Sequence, residues 1–369
     1  MMQFIFFALS AIVLVAGHAL FLYIFIRLFH ISAIHYQLIV GLVIFGLFLS
    51  AIVSSYISHQ WDNLATRLYY IFSGIWLGLF VNLCLMALLV LILKVAYSIF
   101  GFALSDYLIK FIFLGGAIIL SIFGFYRAWS PKITEYEVSI KDLPDAWNNK
   151  TIVQFSDVHL GPVYQKIFFN RLIEKINKLE PRAVFITGDL FDGTEASFTW
   201  LNHPFTKLHA PQGIYYGFGN HDLYLGFDRV INLLKENPVV ILDNKIVMVD
   251  GLQIIGINYS FSSSFDLEAE ILKNANYSRE IPSILLLHAP RNAHLAQKVG
   301  IDLQLSGHTH DGQIWPLNYI VKWVHQGHGY GLFKDKDYSL IVTSGVGTWG
   351  PPMRTAARSE IVKITLKRK

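Results

Sequence analysis

The first 130 residues of the chain are almost free of charge, and this limits the possible folds more than any other feature. Of 369 residues, this part contains only seven charged ones. They are Arg27, Asp62, Arg67, Lys94, Asp106, Lys110 and Arg127. The apolar runs between them are long enough to cross the hydrocarbon core of a bilayer, which requires about 20 residues per helix. The N-terminal third is therefore predicted to lie in a membrane.

The apolar runs predict an all-α region over residues 1–130 with four transmembrane helices. The spans cover about residues 3–26, 37–57, 69–93 and 108–126. The last span is short, so Lys110 and Arg127 must extend their charges to the interfaces. The first span lacks a basic N-terminal segment and is too long for a cleavable signal peptide. His18 within it is expected to stay neutral and donate a hydrogen bond to a neighbouring helix.

Residues 131–369 have the composition of a single soluble domain. They carry 25 of the Lys and Arg residues and 24 of the Asp and Glu residues, so this part is nearly neutral. A nucleic-acid binder presents a basic stripe, and none is visible here. We therefore expect no nucleic-acid partner.

Strand and helix patterns alternate along this second part, which is typical of sheets covered by helices. The predicted elements are strands at residues 133–140, 151–155, 183–186 and 213–216, a helix at 164–179, a helix from the cap Asp228 to Glu236, and a hairpin at 247–257. Only residues 127–132 separate the last span from the first strand, a reach of roughly 20 Å. The soluble part should therefore lie on the bilayer surface. Four apolar loop residues are expected to touch lipid, with packing beneath a loop as the alternative: Phe198, Trp200, Leu201 and Phe205.

Five polar clusters follow apolar strands, each at the strand's carboxyl end. Ligands of α/β sheets bind at this edge. The clusters are Asp157–His159, Gly188–Asp192, Gly219–Asp222, His288 and Gly307–His310. In extended backbone, residues two apart point to the same side, so His308 and His310 can both reach one point. Paired neutral imidazoles are good ligands for a transition metal.

The order D-x-H, G-D-x-x-D, G-N-H-D, H, G-H-x-H resembles the signature of the calcineurin-like metallophosphoesterase superfamily. The stretch Gly345–Arg354 resembles the membrane-anchored, bacterial-type branch of these phosphohydrolases. The resemblance implies that residues 131–369 form an α/β domain, an αββα sandwich. It also implies a binuclear centre of two divalent ions, with Mn²⁺ the first choice and Fe or Zn²⁺ as alternatives.

The resemblance assigns a role to each motif residue. Asp157, His159 and His310 would hold one ion, Asn220, His288 and His308 the other, and Asp189 would bridge them. His221 would protonate the leaving group, and the Asp192 carboxylate would orient His221. Where related phosphatases have a phosphate-binding Arg, this chain has Gly193, so Arg291 or Arg354 is expected to replace it. Asp222 is expected to be a turn residue.

The leading hypothesis is a membrane-anchored enzyme that hydrolyses a phosphodiester or diphosphate bond by means of a hydroxide bridging the two metals. Its substrate would be lipid-linked, of the UDP-diacylglucosamine kind, and its partners would be this substrate and the lipid bilayer. A general phosphatase or nucleotide phosphodiesterase is the alternative. A non-catalytic membrane receptor or scaffold with a retained metal site is the alternative of another class. We expect an integral multi-pass protein of the plasma (inner) membrane, with the cytoplasmic side favoured for the catalytic domain.

Overall fold

The computed structural model describes residues 2–101, 104–194, 196–262, 266–272 and 276–369. The chain divides into two compact units. The helical unit comprises Met1–Tyr126 with Gly350–Met353, and the α/β unit comprises Arg127–Trp349 with Arg354–Lys369.

Long apolar helices make up the N-terminal part. They are α1 (Met2–Leu28), α2 (Ile34–Ser58), α3 (Leu64–Phe100) and α4 (Asp106–Trp129). Among the described residues, α2, α3 and α4 are long and apolar enough to cross a membrane, and α1 contributes the shorter apolar stretch Leu14–Leu28. The N-terminal part is thus a helical region with three clear candidates for membrane spans.

The helix α3 is longer than the predicted span of residues 69–93, because its ends are capped. The Asn63 side chain accepts a hydrogen bond from the N–H of Thr66, and the Thr66 hydroxyl accepts one from the N–H of Asn63. This reciprocal cap satisfies N–H groups that a helix start leaves unpaired. At the other end, Gly101 takes a left-handed conformation with φ of 77°. The apolar run alone could not reveal these end points.

His18 differs from the expectation in its hydrogen bond. Its Nδ1 donates to the carbonyl of Leu14 in the same helix, at 2.8 Å, rather than to a neighbouring helix. Its ring stacks on that of Phe80 in α3, with centroids 3.7 Å apart. A carbonyl one turn back is a nearby acceptor, and it takes the Nδ1 hydrogen bond that was expected to reach a neighbouring helix.

The second unit alternates strands and helices. The strands are β1 (Lys132–Ile140), β2 (Thr151–Phe155), β3 (Ala183–Thr187), β4 (Ile214–Gly217), β5 (Val240–Ile241), β6 (Lys245–Val249), β7 (Leu252–Ile257), β8 (Ser283–Leu287), β9 (Leu303–Ser306), β10 (Gly331–Asp335), β11 (Tyr338–Val342) and β12 (Glu360–Arg368). The helices are α5 (Lys166–Asn177), α6 (Asn202–Phe205), α7 (Asn220–Leu225), α8 (Phe227–Leu234), α9 (Leu267–Leu272), α10 (Ala293–Val299) and α11 (Leu317–Val324), with a short 3₁₀ turn at His310–Gly312.

The strands form two mixed six-stranded sheets. The first has the order β1-β12-β2-β3-β4-β5, and the second has the order β10-β11-β9-β8-β7-β6. In the first sheet β2, β3 and β4 run parallel, and in the second β7, β8 and β9 do. The carboxyl ends of three parallel strands therefore meet at one edge of each sheet.

Successive residues of a buried strand point to opposite faces, and each face has its own core. Ile152, Phe185 and Ile284 belong to a cluster that draws on both sheets. Their chain neighbours Val153 and Val184 lie in a second cluster with residues of α5. Leu285 lies in a third cluster with residues of α9 and α10. These fully buried strands explain why the sequence shows continuous apolar runs.

The expectation that Phe198, Trp200, Leu201 and Phe205 touch lipid is wrong for three of them and unsupported for Trp200. Phe198, Leu201 and Phe205 are 5%, 1% and 0% exposed, respectively. Phe198 packs against Phe191 with ring centroids 4.8 Å apart, and Phe205 packs against Phe169 at 5.2 Å. Trp200 is partly buried against the same cluster. The rings of Phe198, Trp200 and Phe205 belong to the same apolar cluster as the buried residues of α5, because the apolar side of this helix must be shielded from water.

Candidate metal centre

The residues of the five polar clusters converge at the carboxyl ends of parallel strands. Asp157 and His159 follow β2, Asp189 follows β3, and Asn220 begins α7 after β4. His288 follows β8 in the other sheet. The loop after β9 carries His308 and His310. Each candidate ligand thus lies within four residues of the end of a parallel strand, which limits the movement of its backbone.

Asp157, His159 and His310 form the first candidate metal group. Their potential ligand atoms all lie within 4.8 Å of one another. His159 Nε2 is 3.1 Å from His310 Nε2, and His310 Nε2 is 3.5 Å from Asp157 Oδ1. Asp157 and His159 are 0% and 1% exposed. Two imidazole nitrogens and a carboxylate oxygen at these separations can hold a divalent cation.

Asp189, His288 and His308 form the second candidate group, again within 4.8 Å. His288 Nε2 is 3.0 Å from Asp189 Oδ2. The other ring nitrogen of His288, Nδ1, donates to the carbonyl of Thr187 at 2.7 Å. This hydrogen bond fixes the ring and leaves Nε2 for a metal, as a backbone carbonyl does for many metal-bound histidines.

Asp189 connects the two groups. It lies in the second group and also, with His159 and His221, in a third set of ligand atoms within 4.8 Å. Its Oδ1 accepts a hydrogen bond from the main-chain N–H of His221 at 2.8 Å. Its two oxygens therefore face different partners, as a carboxylate shared by two cations requires.

Asn220 supplies an observation that tests the fit of a metal. Its side chain is 7% exposed, and among the described residues its Oδ1 has no hydrogen-bond partner. A buried carbonyl oxygen without a donor is costly unless a cation or water satisfies it. Together with the carboxylates and imidazoles, this oxygen fits a divalent metal. The donor set contains no thiolate, since the single cysteine, Cys84, lies in α3.

The backbone is unusual at most of these positions. Five of the seven candidate ligands have positive φ, a conformation that few non-glycine residues adopt. They are Asp157 (53°), His159 (52°), Asp189 (51°), His308 (71°) and His310 (49°). Such strained residues persist where the surrounding structure fixes them, and they cluster at functional sites. The surrounding structure thus holds these five residues in an unfavourable backbone conformation, and this fixes the direction of their side chains.

Two glycines allow the loops to approach one another. A Cβ at Gly219 would lie 2.1 Å from Asp189 Oδ1, and one at Gly307 would lie 2.2 Å from Ser156 Oγ. The absence of a side chain at Gly307 lets the next residue, His308, donate its N–H to Asp157 Oδ1 at 3.0 Å. Glycine is therefore required at both positions by space alone.

Charge sets the protonation of the imidazoles. Burial is the largest single influence on the pKa of His288 and lowers it, but the Asp189 and Asp157 carboxylates and the Thr187 carbonyl together raise this pKa to about 9. Burial, reinforced by the positive charge of His288, lowers the pKa of His308 to about 3. His308 is therefore neutral at pH 7 and has a lone pair for a cation. A bound cation would replace the proton of His288, because metal ligands bind in their deprotonated form.

His221 is oriented differently from the expectation. Its Nδ1 donates to the main-chain carbonyl of Asp192 at 2.9 Å, so its orientation does not come from the Asp192 carboxylate. That carboxylate faces His159 instead, with Oδ1 3.3 Å from His159 Nδ1. The prediction for Asp192 is corrected accordingly: its carbonyl holds His221 and its carboxylate faces His159, beside a turn in which Gly193 has φ of 84°.

Arg354 does not fit its predicted role as a substrate ligand. Its side chain is 0% exposed, and it donates to the carbonyls of Ser344, Gly347 and His310. A guanidinium has five N–H donors and no acceptor, so these main-chain carbonyls occupy much of its capacity. Arg354 therefore holds the loop of His310 in place. Sequence alone could not show this, because the His310 carbonyl comes from a distant part of the chain and those of Ser344 and Gly347 from an irregular loop.

Arg291 remains next to the site. Its guanidinium carbon lies 4.8 Å from the centroid of the Tyr259 ring, and its Nη2 donates to the carbonyl of Ser260 at 2.6 Å. The Tyr259 ring is in turn 5.5 Å from that of His308. Arg291 thus reaches the second metal group through one aromatic ring.

Asp222 has a larger role than that of a turn residue. It is 0% exposed, and its carboxylate accepts hydrogen bonds from the N–H groups of Asp189, Gly219 and Phe191, at 2.7, 2.8 and 3.1 Å. It therefore joins the loop after β3 to the start of α7. The signal in the sequence was its place at the third position of a helix start, where a carboxylate binds free N–H groups.

The chain is similar to known proteins of one family. The profile of the calcineurin-like phosphoesterase family matches residues 150–312. An uncharacterized metallophosphoesterase of Campylobacter jejuni is 34% identical over 268 residues, which cover 71% of each chain. A Danio rerio transmembrane protein with a metallophosphoesterase domain is 32% identical over 272 residues, covering 68% of this chain and 60% of that protein.

Among solved structures, a dimetal phosphatase from Danio rerio has a TM-score of 0.36 at 12% identity, over 59% of this chain and 99% of that one. The residues matched by the family profile include every candidate ligand, from Asp157 to His310. The chain therefore belongs to the calcineurin-like metallophosphoesterase family, and it is a metal-dependent hydrolase of phosphoric esters.

Proposed function

We propose that the protein is a membrane-anchored phosphoesterase that works with two divalent ions. The observation that carries this proposal is Asp189, which belongs to two sets of metal-type ligands, one with His288 and His308 and one with His159 and His221. One ion would be held by Asp157, His159 and His310, the other by Asn220, His288 and His308, and both by Asp189. When bound, such a pair of ions activates water and neutralises the charge of a phosphoryl group. Oxygen and nitrogen donors without thiolate suit Mn²⁺, Fe and Zn²⁺, and of these we propose Mn²⁺.

The chain's own residues supply proton transfer and orientation. With Nδ1–H donated to the Asp192 carbonyl, His221 presents Nε2 to the substrate. We assign its imidazolium form, protonated on both ring nitrogens, to deliver the Nε2 proton to the leaving group, after which the neutral ring keeps Nδ1–H. The Asp192 carboxylate is assigned to the orientation of His159, as carboxylates orient metal-bound histidines elsewhere. Arg291 is assigned to the phosphate or its substituent. A receptor or scaffold without turnover would have no use for an oriented His221.

We extend the same proposal to the architecture. The apolar stretch of α1 is assigned to a fourth membrane span, in addition to α2, α3 and α4. Residues 1–130 then form the membrane region and residues 131–369 the catalytic domain. The clusters on both faces of the two sheets support an αββα arrangement for this domain. We place it in the plasma (inner) membrane of its cell, with the domain on the cytoplasmic side.

The proposed substrate is a lipid-linked phosphodiester or diphosphate. Its support is the connection between helix and domain: α4 ends at Trp129 and β1 begins at Lys132. An extended chain of so few residues spans roughly 10 Å, so the domain remains at the membrane surface. A substrate confined to the same bilayer would be present at a high effective concentration.

A substrate panel tests this proposal. Purified full-length protein in lipid nanodiscs would be assayed with Mn²⁺, Fe²⁺ or Zn²⁺ on aryl phosphomonoesters, aryl phosphodiesters, nucleotides and a lipid-linked diphosphate in the same bilayer. We expect the highest kcat/KM for the lipid diphosphate or a phosphodiester with Mn²⁺. A higher kcat/KM for soluble nucleotides or monoesters would contradict the lipid-linked substrate. It would favour the alternative function of a general phosphatase or nucleotide phosphodiesterase. No turnover at full metal loading would favour the receptor.

A further inference from the structure

The helix α11 has an unusual surface for a soluble domain. None of its eight residues is buried. Trp323 is 81% exposed, Tyr319 64% and Ile320 56%. Leu317, Val324 and the preceding Trp315 are also exposed. Contiguous exposed apolar patches of this kind mark a site of contact with a protein or a membrane.

The apolar side chains of α11 form one continuous face. At about 100° per residue, Tyr319, Trp323, Ile320, Val324 and Leu317 follow one another around the helix, and Asn318 and Lys322 lie on the opposite side. A helix on a globular domain normally turns its apolar face to the core. In α11 this face is directed outward.

The two ends of α11 adjoin the point where the chain leaves its last apolar helix. At the start, the N–H of Trp315 donates to Thr355 Oγ1 at 3.0 Å, and the Thr355 carbonyl accepts from Arg127 Nη1 at 3.0 Å. Arg127 is the basic residue in the last turn of α4. Beyond the other end, the Tyr330 hydroxyl lies 3.1 Å from Nζ of Lys132, the first residue of β1.

We propose that α11, with Trp315, is an interfacial helix that inserts its apolar face into the headgroup region of the bilayer that α4 enters. Trp and Tyr are the residues that concentrate at the membrane–water interface. Amphipathic helices with such a face lie in the plane of the interface, their basic residues near lipid phosphates. Lys322 occupies this position on the polar side. The adjacent Arg127 and Lys132 favour lipid over a second copy of the chain as the occupant.

The position of α11 links the interface to the metal ligands. His325, which ends the helix, has its ring centroid 6.2 Å from that of His308. The hydroxyl of Thr309, between the two histidines of H-x-H, donates to the carbonyl of Gly329 at 2.7 Å. A helix is about 10 Å across, so the seated helix would hold this loop within that distance of the lipid. The idea that a lipid-linked substrate reaches the metal ligands in this way rests on the proposed function. The insertion of α11 into the headgroup region does not depend on it.

Depth-dependent quenching tests the seating in the full-length protein. Single cysteines would be introduced at Ile320, Trp323 and Lys322 in a Cys84→Ser background, labelled with a polarity-sensitive fluorophore, and the protein reconstituted in phosphatidylcholine–phosphatidylglycerol vesicles. Lipids with a nitroxide near the headgroup would be the quencher. Control labels at Val240 and Met248 occupy exposed apolar positions, 39% and 50% accessible, on the edge strands β5 and β6.

We expect at least threefold stronger quenching at 320 and 323 than at 240 and 248, with position 322 between them. Equal, weak quenching at all five positions would overturn the proposal. So would excimer formation between pyrene labels at 323 of two copies without lipid quenching, because a second chain would then cover the helix. Metal content measured for each labelled variant shows whether it is folded. The quenching measurement does not depend on the substrate. If the enzyme did not hydrolyse the lipid-linked diphosphate, the quenching at α11 would still test the insertion of the helix, so the two proposals can fail separately.

Discussion

His221 lies among the candidate ligands, but its hydrogen bonds set it apart from them. Its Nδ1 is held by a carbonyl, its main-chain N–H binds Asp189, and burial is the main cause that lowers its pKa. We predict that His221→Ala lowers kcat by 10²–10⁴-fold, the usual loss for a general acid. Its metal content should remain at the wild-type level.

Leaving-group chemistry distinguishes proton transfer from other roles of His221. The loss should be much smaller for nitrophenyl esters than for alkyl esters, because a good leaving group needs no proton. His209→Ala, at an exposed histidine, is the control and should retain the wild-type rate. An equal loss for both classes of ester would show that His221 does not protonate the leaving group.

For individual residues, the sequence predicts which side chains come together at the candidate site, but not which hydrogen-bond partners orient each of them. The motif spacing identified Asp157, His159 and the other candidate ligands, because each follows a recognisable strand. It misassigned Arg354 and the Asp192 carboxylate. Their partners are main-chain carbonyls and a ring from elsewhere in the fold, and no local pattern encodes those contacts.

Among the elements, the strand ends were the easiest to predict. Continuous apolar runs define buried parallel strands, and β2 matches its prediction residue for residue. The hairpin of β6 and β7 turns at Asp250 and Gly251, whose φ values of 46° and 79° suit the expected Asp-Gly turn. The helix at Asp228 instead begins after Gly226. The burial of Phe198 and the exposure of α11 were not predictable, since apolar residues in both segments face surroundings that only the tertiary structure defines.

A pH-dependent contribution to stability is predicted where β8 and β9 begin. Asp302 accepts a hydrogen bond from the N–H of Ser283 at 2.9 Å, and burial is the main cause that raises its pKa to about 6. The folded state then binds this proton more tightly than the unfolded state, whose pKa is near 3.9. Stability from this group is present below pH 4 and is lost as the pH rises to about 6.

Asp302→Asn removes this titration while keeping an acceptor for Ser283. We expect the melting temperature of the variant, relative to wild type, to rise by about 2 °C between pH 5 and pH 7.5, equivalent to roughly 1 kcal/mol after allowance for partial solvent screening. Glu236→Gln, at an exposed carboxylate that does not act on Asp302, is the control and should show no such gain. A constant difference across this range would contradict the assigned shift.

On the scale of the whole molecule, the α/β unit holds a group of buried carboxylates at its candidate metal centre. Bound cations should therefore stabilise the domain as well as activate it. We predict that chelation lowers the melting temperature by about 5–10 °C, since a ligand at a hundredfold its Kd contributes about 2.7 kcal/mol. Adding Mn²⁺ back should restore both stability and turnover. An unchanged melting temperature after verified metal removal would argue against ions at these residues.

Metal analysis of the Asp189→Asn protein tests the shared carboxylate most directly. The amide oxygen can still accept the N–H of His221, so the loop should keep its shape while the bridging charge is lost. Inductively coupled plasma mass spectrometry on equally loaded, folded proteins should give about two ions per chain for wild type and His209→Ala. It should give about one for His288→Ala and less than one for Asp189→Asn. Two ions retained by Asp189→Asn would contradict the binuclear centre proposed here.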